Sequence, residues 1–149
     1  MNLLLIAIKY YGTFEVEGPN SNEKILDWIH DFFPSAKDDS LVAWCSIFMH
    51  MIAKEAGYKI LRHGHSGLAR SWLAEGQAVP IDEMQVGDIV IFWRGALYSR
   101  FGHVAIYVND RGKDIRVLGG NQSNGVNIRS YPKNRIIGVR RLVPRKEIA

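Results

Sequence analysis

The chain of 149 residues contains one cysteine, Cys45, and five histidines. A thiol nucleophile requires a route to the thiolate, a base that later returns the proton, and hydrogen-bond donors for an oxyanion. A lone cysteine is otherwise a small, buried hydrophobe. A single cysteine excludes an intrachain disulfide and a four-cysteine zinc site. Cys45 lies in the first turns of a helix expected from about Leu41 to Ala56 and closed by Gly57. Asp38, Asp39 and Ser40 precede it as a start signal, because short polar side chains accept the free amide hydrogens of a first turn. A helix start carries partial positive charge, which lowers a thiol pKa. The two carboxylates act in the opposite sense, so Asp38 and Asp39 read as caps or structural partners.

The base should come from a rigid neighbouring element. His103 opens an expected strand and follows Gly102, where backbone or substrate can approach closely. His30 and His50 fall within helical patterns and read as packing or surface residues. His63 and His65 flank Gly64 in a loop; two histidines at that spacing are a weak metal motif, and no metal or cofactor is expected. The third position must orient the imidazole through its other nitrogen. Asn121, after Gly119 and Gly120 at the end of the next strand, suits that role, with Gln122 adjacent. The run from Gly119 to Gly125 reads equally well as a polar turn. Trp44, Trp72, Trp93 and Gln122 are candidate substrate contacts, joined by Tyr98 and Tyr107 as further groove aromatics. Each aromatic taken singly also suits a core.

These residues must be held by a frame. Residues 3–11 read as a helix ending at Gly12. Asn22 is placed to cap a second helix from Glu23 to about Phe33, stopped by Pro34. A short helix is expected from Ser66 to Glu75, closed by Gly76. After Pro80 the periodicity turns to β: 88–93, 103–108, a hairpin through 109–113 into 115–118, then 125–130 and 136–142. Helices first and antiparallel strands after give an α+β class. With 47% hydrophobic and 23% charged residues, residues 1–149 suit one domain, expected to be a monomer.

The net charge is +4, with much of the excess late: Arg129, Lys133, Arg135, Arg140, Arg141, Arg145 and Lys146. Such charge favours polyanions, but a solvated strand edge accounts for it as well, and no nucleic-acid partner is expected. The apolar run after Met1 is too short to span a bilayer. It also lacks a preceding basic residue and a following small-residue cleavage site. It therefore reads as a helix of a protein made in the cytoplasm without a signal peptide or stable membrane insertion.

Three motifs in order carry a resemblance: Trp44-Cys45-Ser46, Gly87-Asp88-Ile89-Val90-Ile91-Phe92, and Gly102-His103-Val104-Ala105-Ile106-Tyr107. The ordered set resembles the NlpC-type and CHAP superfamily of papain-like cysteine peptidases and amidases. Lys9-Tyr10-Tyr11-Gly12-Thr13, Ala69-Arg70-Ser71-Trp72-Leu73 and Gly119-Gly120-Asn121-Gln122-Ser123-Asn124 are similar to a phage- or prophage-associated branch. The resemblance implies a papain-like fold of N-terminal helices on a C-terminal antiparallel sheet. It also implies hydrolysis of an amide bond in the peptidoglycan stem peptide, with Cys45 as nucleophile, His103 as base and Asn121 favoured over Gln122 as third residue. Backbone amides at the helix start would hold the oxyanion. The implied setting is an endolysin-like enzyme acting on the periplasmic wall after holin-type release, virion delivery or secretion. The alternatives are a toxin-type amidase or transglutaminase-like enzyme, or a non-catalytic phage module.

Overall fold

The computed structural model describes residues 2–16, 22–31, 44–58 and 68–143. Among the described residues three α-helices come first: α1 (Leu3–Ala7), α2 (Glu23–His30) and α3 (Cys45–Glu55). Six strands follow: β1 (Gln77–Ala78), β2 (Ile89–Trp93), β3 (Gly102–Asp110), β4 (Asp114–Gln122), β5 (Gly125–Pro132) and β6 (Ile136–Arg141). They form one sheet in the order β1-β6-β2-β3-β4-β5, and every pairing is antiparallel. The class is α+β.

Local chemistry sets the helix starts. The Asn22 side chain accepts from Lys24 N and Ile25 N and caps α2. Asn2 does the same for α1, accepting from Leu4 N at 2.8 Å. α1 ends at Ala7 and tightens into a 3₁₀ turn over Ile8–Tyr10. α2 ends at His30, shorter than expected. α3 starts at Cys45 rather than near Leu41, with Trp44 outside it at φ −111° and no side-chain cap. The Asp38–Ser40 signal and the His63–His65 pair lie outside the described residues. The segment expected as a helix from Ser66 is a 3₁₀ helix over Ala69–Ala74.

Strand alternation divides the apolar residues between two faces. Ile89, Ile91, Val104, Ile106 and Leu118 join Ile25, Ile29, Phe48 and Ile52 of the helices in the main core. Val90, Phe92, Ala105, Tyr107, Ile115, Val117 and Val139 form a second cluster. Buried Asp88 clamps the start of β2 to the sheet, because Arg141 grips its carboxylate at 2.8 and 2.9 Å. Several late cations serve such bonds. Arg140 donates to Glu75 O and Gly76 O, Arg135 to Trp93 O, and Lys133 pairs with Asp110.

Two features of the sheet prepare the site. The β3–β4 ladder begins at the Ile106–Leu118 pair, leaving the first residues of β3 without a β4 partner. The β4–β5 ladder shifts register between Gly119 and Gln122. The run expected as either a strand end or a polar turn is thus β4 up to Gln122, with the turn confined to Ser123 and Asn124. Asn121, Ser123 and Asn124 all adopt left-handed conformations, at φ 58°, 47° and 64°. That is uncommon for residues with a Cβ, and Asn tolerates it best after Gly.

Candidate active site

Cys45 is the first helical residue of α3 and is 3% exposed. Its sulfur meets the backbone N–H groups of Val104, Ser46 and Cys45 itself. The Val104 contact exists because β4 has already left β3 at that point. A strand N–H lies in the plane of the sheet, so the thiol occupies the gap beside the peptide that follows His103. Burial pushes the Cys45 thiol above its ordinary range. The three N–H groups and the Arg94 charge pull in the other direction but are outweighed.

His103, near the start of β3, is 8% exposed. Gly102 is required just before it: a Cβ there would lie 2.7 Å from Phe92 O and 3.2 Å from Arg70 Cγ. The imidazole Nε2 lies 2.9 Å from Gln122 Oε1. Gln122 is 1% exposed, and its amide group is locked. Its Nε2 donates to Asn127 O at 2.7 Å and to Asn127 Oδ1 at 3.2 Å, while Asn127 Nδ2 donates back to Gln122 O at 2.7 Å. A donor is needed against the Asn127 carbonyl, so the Gln122 oxygen must face the ring. His103 Nε2 then carries the hydrogen, and Nδ1 carries the lone pair. The His103 pKa is pushed down to about 4, first by burial and further by the Arg94 and Arg135 charges, against the Gln122 hydrogen bond. At neutral pH thiol and imidazole are both uncharged, with a basic nitrogen available.

The ring is also packed. Tyr131 stacks on it with centroids 5.1 Å apart and on Phe92 at 4.9 Å. Gly119 leaves room for the orienting amide: a Cβ there would sit 2.7 Å from Gln122 Oε1 and 2.9 Å from the Ala105 methyl. Gly120 admits α3, since its Cβ would meet Phe48 and Trp44, both at 2.7 Å.

A cleft of about 490 Å³ opens beside the thiol, lined by Cys45, Leu68, Ala69, Arg94, Ser99 and Phe101 among others. Its outer wall is the β2–β3 loop. Arg70 fastens that loop, donating to Phe101 O at 2.7 Å, Leu97 O at 3.0 Å and Ala96 O at 3.3 Å. Among the described residues, no group of three His, Cys, Asp or Glu side chains is arranged to hold a metal ion.

The structure corrects several expectations. The residue against the His103 ring is Gln122, not Asn121. Gln122, expected as a substrate contact, is instead buried against that ring and has no face open to a substrate. Trp44 and Trp72 are fully buried and cannot wall a groove. The Trp44 indole donates to Glu15 Oε1, and the Trp72 indole donates to Ser46 Oγ at 3.0 Å. Tyr107 is buried in the second cluster. Trp93 is half-buried beneath the Arg135 guanidinium, 4.8 Å from its ring centroid. Tyr98 alone of these aromatics stands out, 94% exposed on the loop. Sequence reasoning missed Asn127, Tyr131 and Arg94. Strand periodicity around Asn127 and Tyr131 marks their faces but not their partners, and Arg94 carries no local signal.

The family model for NlpC/P60 matches residues 36–141. The chain belongs to the NlpC/P60 family. A lipoprotein-like NLP/P60 family protein of Staphylococcus aureus subsp. aureus Mu50 superposes with a TM-score of 0.54 at 20% identity, over 96% of this chain and 41% of that one. An NlpC/P60 family protein of Bacillus cereus ATCC 10987 gives a TM-score of 0.49 at 26% identity, over 67% of this chain and 32% of its own. The chain thus spans less than half the length of either solved relative. No curated protein matches. NlpC/P60 proteins are generally cysteine peptidases or amidases and include cell-wall peptidases.

Proposed function

We propose that this NlpC/P60 chain is a hydrolase that cleaves an amide bond of the peptidoglycan stem peptide through a Cys45 acyl-enzyme. The observation that carries the reading is the hydrogen-bonded line from Asn127 through Gln122 to His103. It leaves an unprotonated Nδ1 on a ring adjoining the peptide that touches the thiol. In this mechanism Nδ1 takes the Cys45 proton as sulfur attacks the amide carbonyl. The backbone N–H of Cys45 at the start of α3, which meets the thiol in the resting site, donates to the oxyanion instead. The imidazolium then protonates the leaving amine, the C–N bond breaks and a thioester remains. His103 next takes a proton from water, whose oxygen attacks the thioester, and returns that proton to the departing sulfur. Gln122 stays neutral and keeps the ring in one tautomer, the part played by the third group of a nucleophile–histidine triad.

The test uses purified peptidoglycan with the parent protein and with Cys45→Ala, the soluble fragments being identified by mass spectrometry. The parent should release peptide fragments with a new amine and a new carboxylate. Cys45→Ala should keep its fold and release none. Equal release by the alanine variant would overturn the reading. Crosslinked or deamidated products in place of hydrolysis would move the protein to another class of cysteine acyl chemistry.

A further inference from the structure

Arg94 is the charged side chain among the described residues that line the cleft beside Cys45. It follows β2 and is exposed. Its backbone is pinned by a bridge to Ala96 across Gly95, which adopts φ 78°. The same loop is tied down by Arg70 through three carbonyls. Arg94 is therefore held at the mouth of the cleft.

Other cations near the sheet have work inside the fold. Arg141 grips Asp88, Lys133 pairs with Asp110, and Arg135 covers Trp93 and bonds its carbonyl. Arg140 and Arg70 bond backbone carbonyls. The Arg94 side chain has no ion pair or hydrogen bond with any described residue, and no acid lines the cleft among those residues. Its fork of donors is left facing the space where a substrate must lie.

Catalysis alone does not call for this charge. Arg94 favours the Cys45 thiolate but disfavours the His103 imidazolium. Proton transfer from one to the other makes both ions, so the two effects oppose each other. A substrate anion uses the charge without such cancellation, since guanidinium and carboxylate match in a two-pronged bond. The remaining walls, Leu68, Ala69 and Phe101, are apolar and suit the short aliphatic parts of a peptide.

We propose that Arg94 is a specificity-determining residue that binds a free carboxylate on the residue flanking the scissile amide. The preferred substrate is then an anionic peptide, not its amidated form. This rests on the hydrolase reading for its site, but binding can be measured without turnover. The probes are two synthetic stem-type peptides, identical except that the flanking carboxylate of one is a carboxamide in the other. Titration calorimetry of each against the Cys45→Ala protein at low salt should show the carboxylate peptide binding at least about tenfold tighter, the range of a charge-assisted pair. Adding Arg94→Gln should abolish the preference, and Arg94→Lys should restore part of it. Equal binding of the two peptides, no binding of either, or a preference that survives Arg94→Gln overturns the assignment. Turnover by the Cys45 protein is read separately. No cleavage alongside a retained Arg94-dependent preference removes the hydrolase reading and upholds the anion site. Equal cleavage of both peptides without a binding preference does the reverse.

Discussion

Replacing Gln122 with glutamate should move the acid limb of the kcat/KM profile upward. In the proposed mechanism the base is the neutral His103 imidazole, whose pKa is pushed down to about 4, so activity should hold until the pH nears that value. Gln122→Glu would put a carboxylate where the amide oxygen now lies, 2.9 Å from Nε2. Two unit charges about 4 Å apart at an effective dielectric of about 20 attract by roughly 4 kcal/mol, or about three pKa units. Desolvation of the new carboxylate reduces this, and measured shifts of this kind run about one to three units. The limb should therefore rise to between about pH 5 and 7. With a limb at about 6, the neutral fraction of the ring at about pH 5 falls from roughly nine-tenths to one-tenth. The assay is hydrolysis of a stem peptide across the pH range, with iodoacetamide labelling of Cys45 as a substrate-free companion. The introduced carboxylate also replaces the Nε2 donor with an oxygen that faces the Asn127 O and Oδ1 acceptors, at a cost of about 1–3 kcal/mol in stability. A smaller folded fraction leaves the limb in place only if it is constant with pH, so rates are normalised to the folded fraction read by circular dichroism at each pH. Gln122→Leu gives the opposite sign, because the hydrogen bond it removes raises the His103 pKa. An acid limb that stays in place in Gln122→Glu would refute the assignment of residue 122 to the ring.

Asn121→Ala should cost about 1 kcal/mol of stability, because its φ of 58° is left-handed; kcat should stay within about twofold, and a collapse in steady-state turnover would return the orienting role to Asn121. Stability should also depend on pH through His103. Its folded pKa of about 4 lies below the ordinary value of 6.5, so the unfolded chain binds the proton first as pH falls. The stability is full above about pH 6.5 and is lost toward pH 4, by about 3 kcal/mol over the window. Urea unfolding at the two ends, with His103→Gln as comparison, measures this; an identical pH slope in the variant would show that the ring does not contribute.

Much of the scaffold was legible because its signals are local. The Asn22 cap needs only the next three residues, and the alternation of 89–92 and 104–107 follows from strand pleating. Gly102 and Gly119 were visible as glycines. Their reasons, the Phe92 carbonyl and the Gln122 amide, depend on how the strands pair and were not.

The chain by itself determined the chemical inventory and its order: one thiol at a helix start, a histidine opening a strand, and an amide pair after two glycines. Tertiary structure decided which of these meet. Neighbouring residues on a strand face opposite sides, and a bulge changes which side that is. Choosing Gln122 over Asn121 therefore depended on the register shift between Gly119 and Gln122, which no local pattern encodes. Burial decided the tryptophans in the same way. Trp44 and Trp72 look like groove aromatics in isolation but are enclosed by helices and strands distant in sequence. Arg94 acquired its place only when the end of β2 folded over against Cys45.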